Sequence, residues 1–227
     1  MNILALDTCT ECCSTALLFD GQLYEQTELT QRGHSNMILG MMDALFKQAG
    51  TTIDCIDALA FGRGPGSFTG VRVGVGVAQG IAFARNIPVI PVSTLAAVAQ
   101  DAADRLEVTH IAVAMDARMG EIYCASFVNE NGVVHCIDEE RVCPPEAFTA
   151  SGMQIWTGIG TGWGVYEQIL RSGFADKLDQ VSVEHYPQAT AIIKLAEQLA
   201  SQGHLLQADQ AMPVYLRNNV AKKKEAQ

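Results

Sequence analysis

Positive charge is scarce in this sequence: 15 Lys and Arg stand against 25 Asp and Glu, a formal net charge of −10. A chain so acidic repels a phosphate backbone, which excludes gripping nucleic acid by charge alone. The run Lys222-Lys223-Lys224 is the local exception and reads as a solvated end. No stretch of about eighteen apolar residues occurs, so no membrane-spanning helix is expected. The first thirteen residues have no basic start, and Asp7 interrupts their apolar run, unlike a signal peptide. Histidine is sparse, with five residues and no HExxH pair. The cysteines number seven, an odd count that, without a secretion signal, reads as reduced thiols and a cytoplasmic location. Cys9 and Cys12 have CxxC spacing, but no second pair follows at zinc-ribbon distance and no helix starts there. His34 has no second His one turn on, so no metal site is expected.

Apolar residues, glycine and repetition are what the sequence has. Its 227 residues suffice for two domains of about a hundred residues each. Hydrophobic residues make up 48% before the 20 glycines are counted, more than a globular chain needs. A permanent partner is one place for that surplus. Strands are predicted at 2–8, 12–20 and 22–30, the last two joined by the hairpin signal Asp20-Gly21. A helix follows over 35–49, capped by Ser35 and stopped by Gly50, then a strand at 57–61, a glycine-rich loop, a helix over 69–86, a strand at 87–92 and a helix capped by Ser93. The pattern then restarts. "NILALDTCTECCSTALLFDGQLYEQTE" and "HIAVAMDARMGEIYCASFVNENGVVHCIDEE" share one grammar: a strand ending in Asp, a turn, a second strand, a Gly-containing hairpin and a third strand. Asp7 and Asp116 lie 109 positions apart, about half the chain. Two α/β domains of one architecture are expected, residues 1–106 and 107–227, with helices at 161–171 and 189–201 in the second and the last segment packing back on the first.

The stretch "GRGPGSFTGVRVGVGVAQG" (62–80) holds seven glycines. It lacks the Lys-Ser/Thr of a phosphate loop after Gly70, and Pro65 stands where a nucleophile elbow needs Gly. What remains is a capped helix start at Ser67 whose amides are suited to an anion. Along the helix, Gly70 and Gly74 form one bare row, and Gly76, Gly80 and Ala84 another. Each Gly costs about 1 kcal/mol of helix stability, so close approach of another backbone is expected to offset it. The helix 35–49 is apolar nearly all round, with Asn36, Gly40, Asp43 and Lys47 as a narrow polar stripe. It is either buried within this fold or shared with a partner. On the second reading the interface residues are Met37, Ile38, Met41, Met42 and Leu45, with Gly70, Gly74, Val77 and Ala78 of the next helix.

Asp7 and Asp116 end equivalent strands, where α/β folds place their sites. The turn after Asp7 is crowded and polar, without the glycine that lets a phosphate approach. The turn after Asp116 carries Arg118, suited either to a nucleotide or to pairing with Asp116. "WTGIGTGWG" (156–164) looks like a degenerate adenosine-binding turn. Ser67, Asp116, Arg118, Gly158 and Gly160 are therefore the candidate nucleotide or anion contacts.

"GRGPGSFTGVRVG" (62–74), "PVSTL" (91–95), "VAMDARMGEIY" (113–123) and "PVYLR" (213–217) together resemble the bacterial TsaB (YeaZ) family of tRNA threonylcarbamoyladenosine biosynthesis proteins. The match runs in order along nearly the whole chain. The resemblance implies two tandem actin-like (ribonuclease H-like) domains with mixed sheets flanked by helices. It also implies a pseudo-enzyme that binds its catalytic paralogue TsaD through the helices 35–49 and 69–86, with the ATPase TsaE joining. TsaD transfers threonylcarbamoyl to N6 of the adenosine 3′ of the anticodon in tRNAs reading codons that begin with A. The paralogue's paired-His metal site has only His34 as a counterpart here, with Met37 and Ile38 one turn on. No cofactor is then expected for this chain alone, and ATP or ADP only in the complex. The expected partners are TsaD, TsaE, tRNA indirectly, and a second copy when alone. The competing readings are a stand-alone actin-like ATPase or small-molecule kinase and, more weakly, a metallopeptidase.

Overall fold

The computed structural model describes residues 1–30 and 33–217. Lys222-Lys223-Lys224 lie outside the described residues. The first half contains β1 (Ile3–Asp7), β2 (Cys12–Phe19), β3 (Gln22–Leu29), α1 (His34–Ala49), β4 (Ala58–Gly62), α2 (Phe68–Arg85), β5 (Val89–Val92) and α3 (Thr94–Leu106). Its sheet has the order β3-β2-β1-β4-β5. The β1–β2 and β2–β3 pairs are antiparallel, whereas β1–β4 and β4–β5 are parallel.

The second half repeats this plan with β6 (His110–Arg118), β7 (Glu121–Glu130), β8 (Val133–Cys136), β9 (Arg141–Cys143), β10 (Trp156–Ile159), α4 (Thr161–Val165), α5 (Glu167–Phe174), β11 (Leu178–Ser182) and α6 (Ala189–Ser201). Its sheet runs β11-β10-β6-β7-β8, with β9 on β7. Read from β8, the order and the strand directions match those of the first sheet. This is the doubled α/β arrangement that the repeat and the resemblance lead one to expect, with Asp7 ending β1 and Asp116 near the end of the equivalent β6, which runs two residues further to Arg118.

Along the central strands both faces of each sheet are buried, so these strands alternate between two cores. In β1, Leu4 and Leu6 face α1 and α2, while Ile3 and Ala5 face the space between the sheets. In β6, Ile111, Val113 and Met115 share that central core, while Ala112 and Ala114 pack toward Trp163, Leu170 and Phe174 under α4 and α5. The central layer is exchanged between the halves. α3, from the first half, packs on β6, β7 and β8; α6, from the second, packs on β1, β2, β4 and β5. The two sheets therefore share one continuous core.

Local chemistry explains the boundaries and where they depart from expectation. Ser67 and Ser93 cap α2 and α3, their hydroxyls accepting the N–H of Gly70 and Ala96. Ser35, expected as a cap, lies inside α1, which starts at Gly33 with a φ of 103° and no side-chain cap. The single helix expected over 161–171 is two, because at Tyr166 the backbone leaves helical geometry.

Candidate functional site

A cleft of about 780 Å³ opens at the C-terminal ends of β1 and β6. Its walls come from the Cys9–Glu11 turn, the start of α1, the segment 65–73, the Met115–Arg118 end of β6, Thr161, and residues 214–217. Those last residues belong to a strap that crosses from one half to the other. Ala211 accepts from the Gln79 side chain at 2.7 Å, and the Val214 N–H donates to the Arg63 carbonyl at 2.8 Å. Tyr215 lies 6.1 Å from the Phe68 ring, over which the Arg72 guanidinium sits at 3.2 Å. Arg217 then pairs with Glu121 at 2.5 Å and donates to the Arg118 carbonyl at 3.3 Å.

The acid at each strand end is already engaged. Asp7 is wholly buried behind Cys9, accepting the Cys9 N–H at 2.7 Å and, more weakly, the Thr94 hydroxyl at 3.5 Å. Burial raises its pKa to about 7, the hydrogen bonds opposing only part of that rise. It does not line the cleft; Cys9 and Thr10 do. Burial and the neighbouring Asp7 carboxylate push the Cys9 thiol well above its ordinary range, which leaves it a poor nucleophile. Asp116 does line the cleft, but its Oδ1 accepts the Arg118 N–H at 2.9 Å and its Oδ2 pairs with the Arg118 guanidinium at 2.8 Å. The sequence left open whether Arg118 would face a ligand or Asp116; here it closes on Asp116. Ser67 also lines the cleft, with its hydroxyl engaged as the α2 cap.

Gly158 and Gly160, expected to contact a nucleotide, do not reach the cleft. A Cβ on Gly158 would meet the Trp163 indole at 2.6 Å, and one on Gly160 the Ala114 carbonyl at 2.8 Å. Trp163 is anchored there, its Nε1 donating to the Ala112 carbonyl at 2.9 Å. These glycines let a helix settle on the sheet rather than admit adenosine.

The expected interface residues are corrected in the same way. Ile38, Met41, Met42 and Leu45 point into the chain's own outer core, and Met41 is only 6% exposed. Ala78 is buried with them. Gly70 and Gly74 are where α2 touches the turn after β1: a Cβ on either would strike the backbone or side-chain oxygen of Thr8, whose hydroxyl donates to the Gly70 carbonyl at 2.7 Å. The close backbone approach that the glycines implied is thus within this chain. Met37 and Val77 are half-buried against the same core. The outward side of α1 and α2 is different: Leu39 is 59% exposed and Phe83 81%, and Gly76 and Gly80 have nothing within 4 Å of a would-be Cβ. Sequence reasoning passed over Leu39 and Phe83, although Leu39 stands between Asn36 and Gly40 of the polar stripe.

His34 opens α1 at the cleft wall, and its Nε2 is buried without a hydrogen-bond partner. No cluster of three or more His, Cys, Asp or Glu side chains suited to a metal occurs among the described residues, and no helix among them is long and apolar enough to cross a membrane.

The family model described as "TsaD: tRNA N6-adenosine threonylcarbamoyltransferase" matches residues 23–225. The tRNA threonylcarbamoyladenosine biosynthesis protein TsaB of Escherichia coli is 42% identical, the match covering 99% of this chain and 98% of that protein. The chain belongs to the TsaB family. The TsaB of Haemophilus influenzae is likewise 42% identical, over 99% of this chain and 97% of its own. The solved structure described as YeaZ from Pseudomonas aeruginosa superposes with a TM-score of 0.90 at 39% identity, covering 95% of this chain and 99% of that one. As a TsaB homologue, the chain takes part in threonylcarbamoyladenosine modification of tRNA. The motifs that carried the resemblance are structural ones: "GRGPGSFTGVRVG" seats α2 on Thr8, and "PVYLR" is the strap.

Proposed function

We propose that the chain is a non-catalytic subunit required for threonylcarbamoyl transfer to N6 of the adenosine 3′ of the anticodon. It binds and activates a TsaD-type catalytic paralogue in the cytoplasm, and a TsaE-type ATPase joins the assembly. tRNA is reached through these partners, and ATP or ADP is held only in the complex. The observation that carries this reading is that the acids at the ends of the two equivalent strands are already engaged: Asp7 is sealed behind Cys9, and Asp116 is paired with Arg118. Neither strand-end carboxylate is then left free to act as a general base.

Docking uses the outward side of α1 and α2, where Leu39 and Phe83 are exposed and the Gly76–Gly80 row is open. Small residues there let a partner's helices come close, and the exposed apolar groups give them surface to bury. Without the partner, the same face pairs two copies of this chain.

The test is threonylcarbamoylation of unmodified tRNA, reconstituted from purified partners with and without this chain. Modification is expected to collapse in its absence; undiminished modification would overturn the proposal. The 780 Å³ cleft favours a second reading, a stand-alone ATPase or small-molecule kinase. Calorimetry of the isolated chain with Mg-ATP separates the two, since tight binding there would replace the subunit reading.

A further inference from the structure

Seven cysteines are present, and three of the buried ones, Cys9, Cys12 and Cys13, have partners other than a thiol. The Cys9 thiol donates to the Gly62 carbonyl, Cys12 accepts from the Gln188 amide, and Cys13 meets the Met41 thioether. Cys124 and Cys143 are different. Their Sγ atoms lie 3.5 Å apart, the one thiol–thiol contact among the described residues. The β7–β9 register places Cys143 opposite Ile122 and Arg141 opposite Cys124, so the cysteines are diagonal neighbours on one face of the sheet. A disulfide needs a separation of about 2.05 Å, so the sulfurs must close by roughly 1.5 Å. The strand that must move is β9, three residues long and paired only with β7.

We propose that Cys124 and Cys143 form a redox modification site, closing reversibly to a cross-strand disulfide on reaction with a hydroperoxide. Cys143 is the attacking sulfur. The contact with the Cys124 sulfur and the nearby Arg141 guanidinium both favour its thiolate, lowering its pKa, while the same contact and burial hold Cys124 protonated. The Cys143 thiolate displaces alkoxide, or hydroxide, from the peroxide oxygen and becomes a sulfenic acid; the leaving group takes up a proton. The Cys124 sulfur then attacks that sulfenic sulfur, and its own proton leaves with the hydroxyl as water. Two thiols thus give up two electrons and two protons, and the hydroperoxide is reduced to an alcohol and water. Access comes from local opening of the short strand β9.

The bond would tie β9 to β7 and steady the corner that precedes it. There Asp138 accepts from the Ser126 N–H at 2.7 Å and its hydroxyl at 2.9 Å, and Glu140 reaches across to Arg63 of the first half at 3.1 Å. The modification therefore bears on a contact that holds the two halves together.

The experiment treats the reduced full-length chain with one equivalent of hydrogen peroxide and follows free thiols, intact mass and non-reduced peptide maps. Two of the seven thiols should be lost, with the mass falling by two hydrogens, one cross-linked peptide joining Cys124 to Cys143, and full reversal by dithiothreitol. Hydrogen exchange across residues 138–143 should slow in the oxidised form. Retention of all seven thiols, a cross-link between any other pair, or Cys143 oxidised without a cross-link would each overturn the proposal. Mapping on the natural chain needs no variant, so a misfolded Cys143→Ser protein would not cloud the result.

Discussion

The Arg118 guanidinium rests on the Asp116 carboxylate at 2.8 Å, and Arg118 also donates its backbone N–H to the same carboxylate at 2.9 Å. Two groups of one residue thereby satisfy the acid near the end of β6. Arg118 and Met119 reach that geometry with φ near 60°, a conformation non-glycine residues seldom adopt. The Arg118 side chain is 81% exposed, so solvent screens the ion pair.

Replacing Arg118 with Ala should therefore lower stability by less than about 1 kcal/mol, as read by urea denaturation. The backbone N–H bond to Asp116 survives that change. A larger loss would mean that the pair is a structural strut and not an exposed closure over the acid.

Asp7 gives a pH-dependent expectation. Its pKa rises from 3.8 to about 7 on folding, so the folded chain holds the proton more tightly than the unfolded chain. Stability then falls as pH rises between those values, by an amount on the order of 4 kcal/mol in total. Asn at this position keeps an acceptor for the Cys9 N–H and removes the buried charge. The gain in melting temperature of Asp7→Asn over the natural chain should be larger at pH 8 than at pH 5. An equal difference at both pH values would mean that Asp7 does not change protonation in the folded chain.

The doubled plan was legible because strand order follows from local grammar: Asp7 and Asp116 stand at or near the ends of matching strands, each followed by a hairpin marked by glycine. The exchange of α3 and α6 between the sheets was not, since an amphipathic helix shows that it packs and not on what. In α1, Ile38, Met41, Met42 and Leu45 follow the 3, 4, 7 spacing of an inward stripe, and that spacing favoured burial over an interface. The surplus of apolar residues hid it. β9 carries Arg, Val and Cys, too short a run to announce a strand, so the Cys124–Cys143 contact had no signal in the sequence. Gly158 read as part of an adenosine-binding turn, whereas tertiary folding brings Trp163 against it.

Met41 and Leu39 should behave oppositely. Met41→Lys places a charge in a site 6% exposed, next to Cys13, and should unfold the chain or cost several kcal/mol. Leu39→Lys, at a position 59% exposed, should leave the melting temperature nearly unchanged. On the proposed docking face it should nonetheless weaken co-purification with the catalytic paralogue at least tenfold, and Phe83→Asp should do the same. Unimpaired complexes from both surface variants would remove α1 and α2 from the interface.

The two glycine rows of α2 supply the sharpest contrast, because their composition is the same and only their surroundings differ. Gly70→Ala drives a Cβ into the Thr8 carbonyl, backbone that cannot swing aside, and should destabilise the isolated chain by about 3 kcal/mol. Gly80→Ala meets open space and should stabilise it by up to about 1 kcal/mol through helix propensity alone. Gly80→Leu should fold equally well, yet it fills the row that a partner helix would need to approach. Its expected signature is a urea midpoint no lower than the natural chain's, together with loss of complex formation and of tRNA modification in the reconstituted system. If Gly80→Leu binds the paralogue as tightly as the natural chain, the open row is surface only and docking lies elsewhere on the molecule.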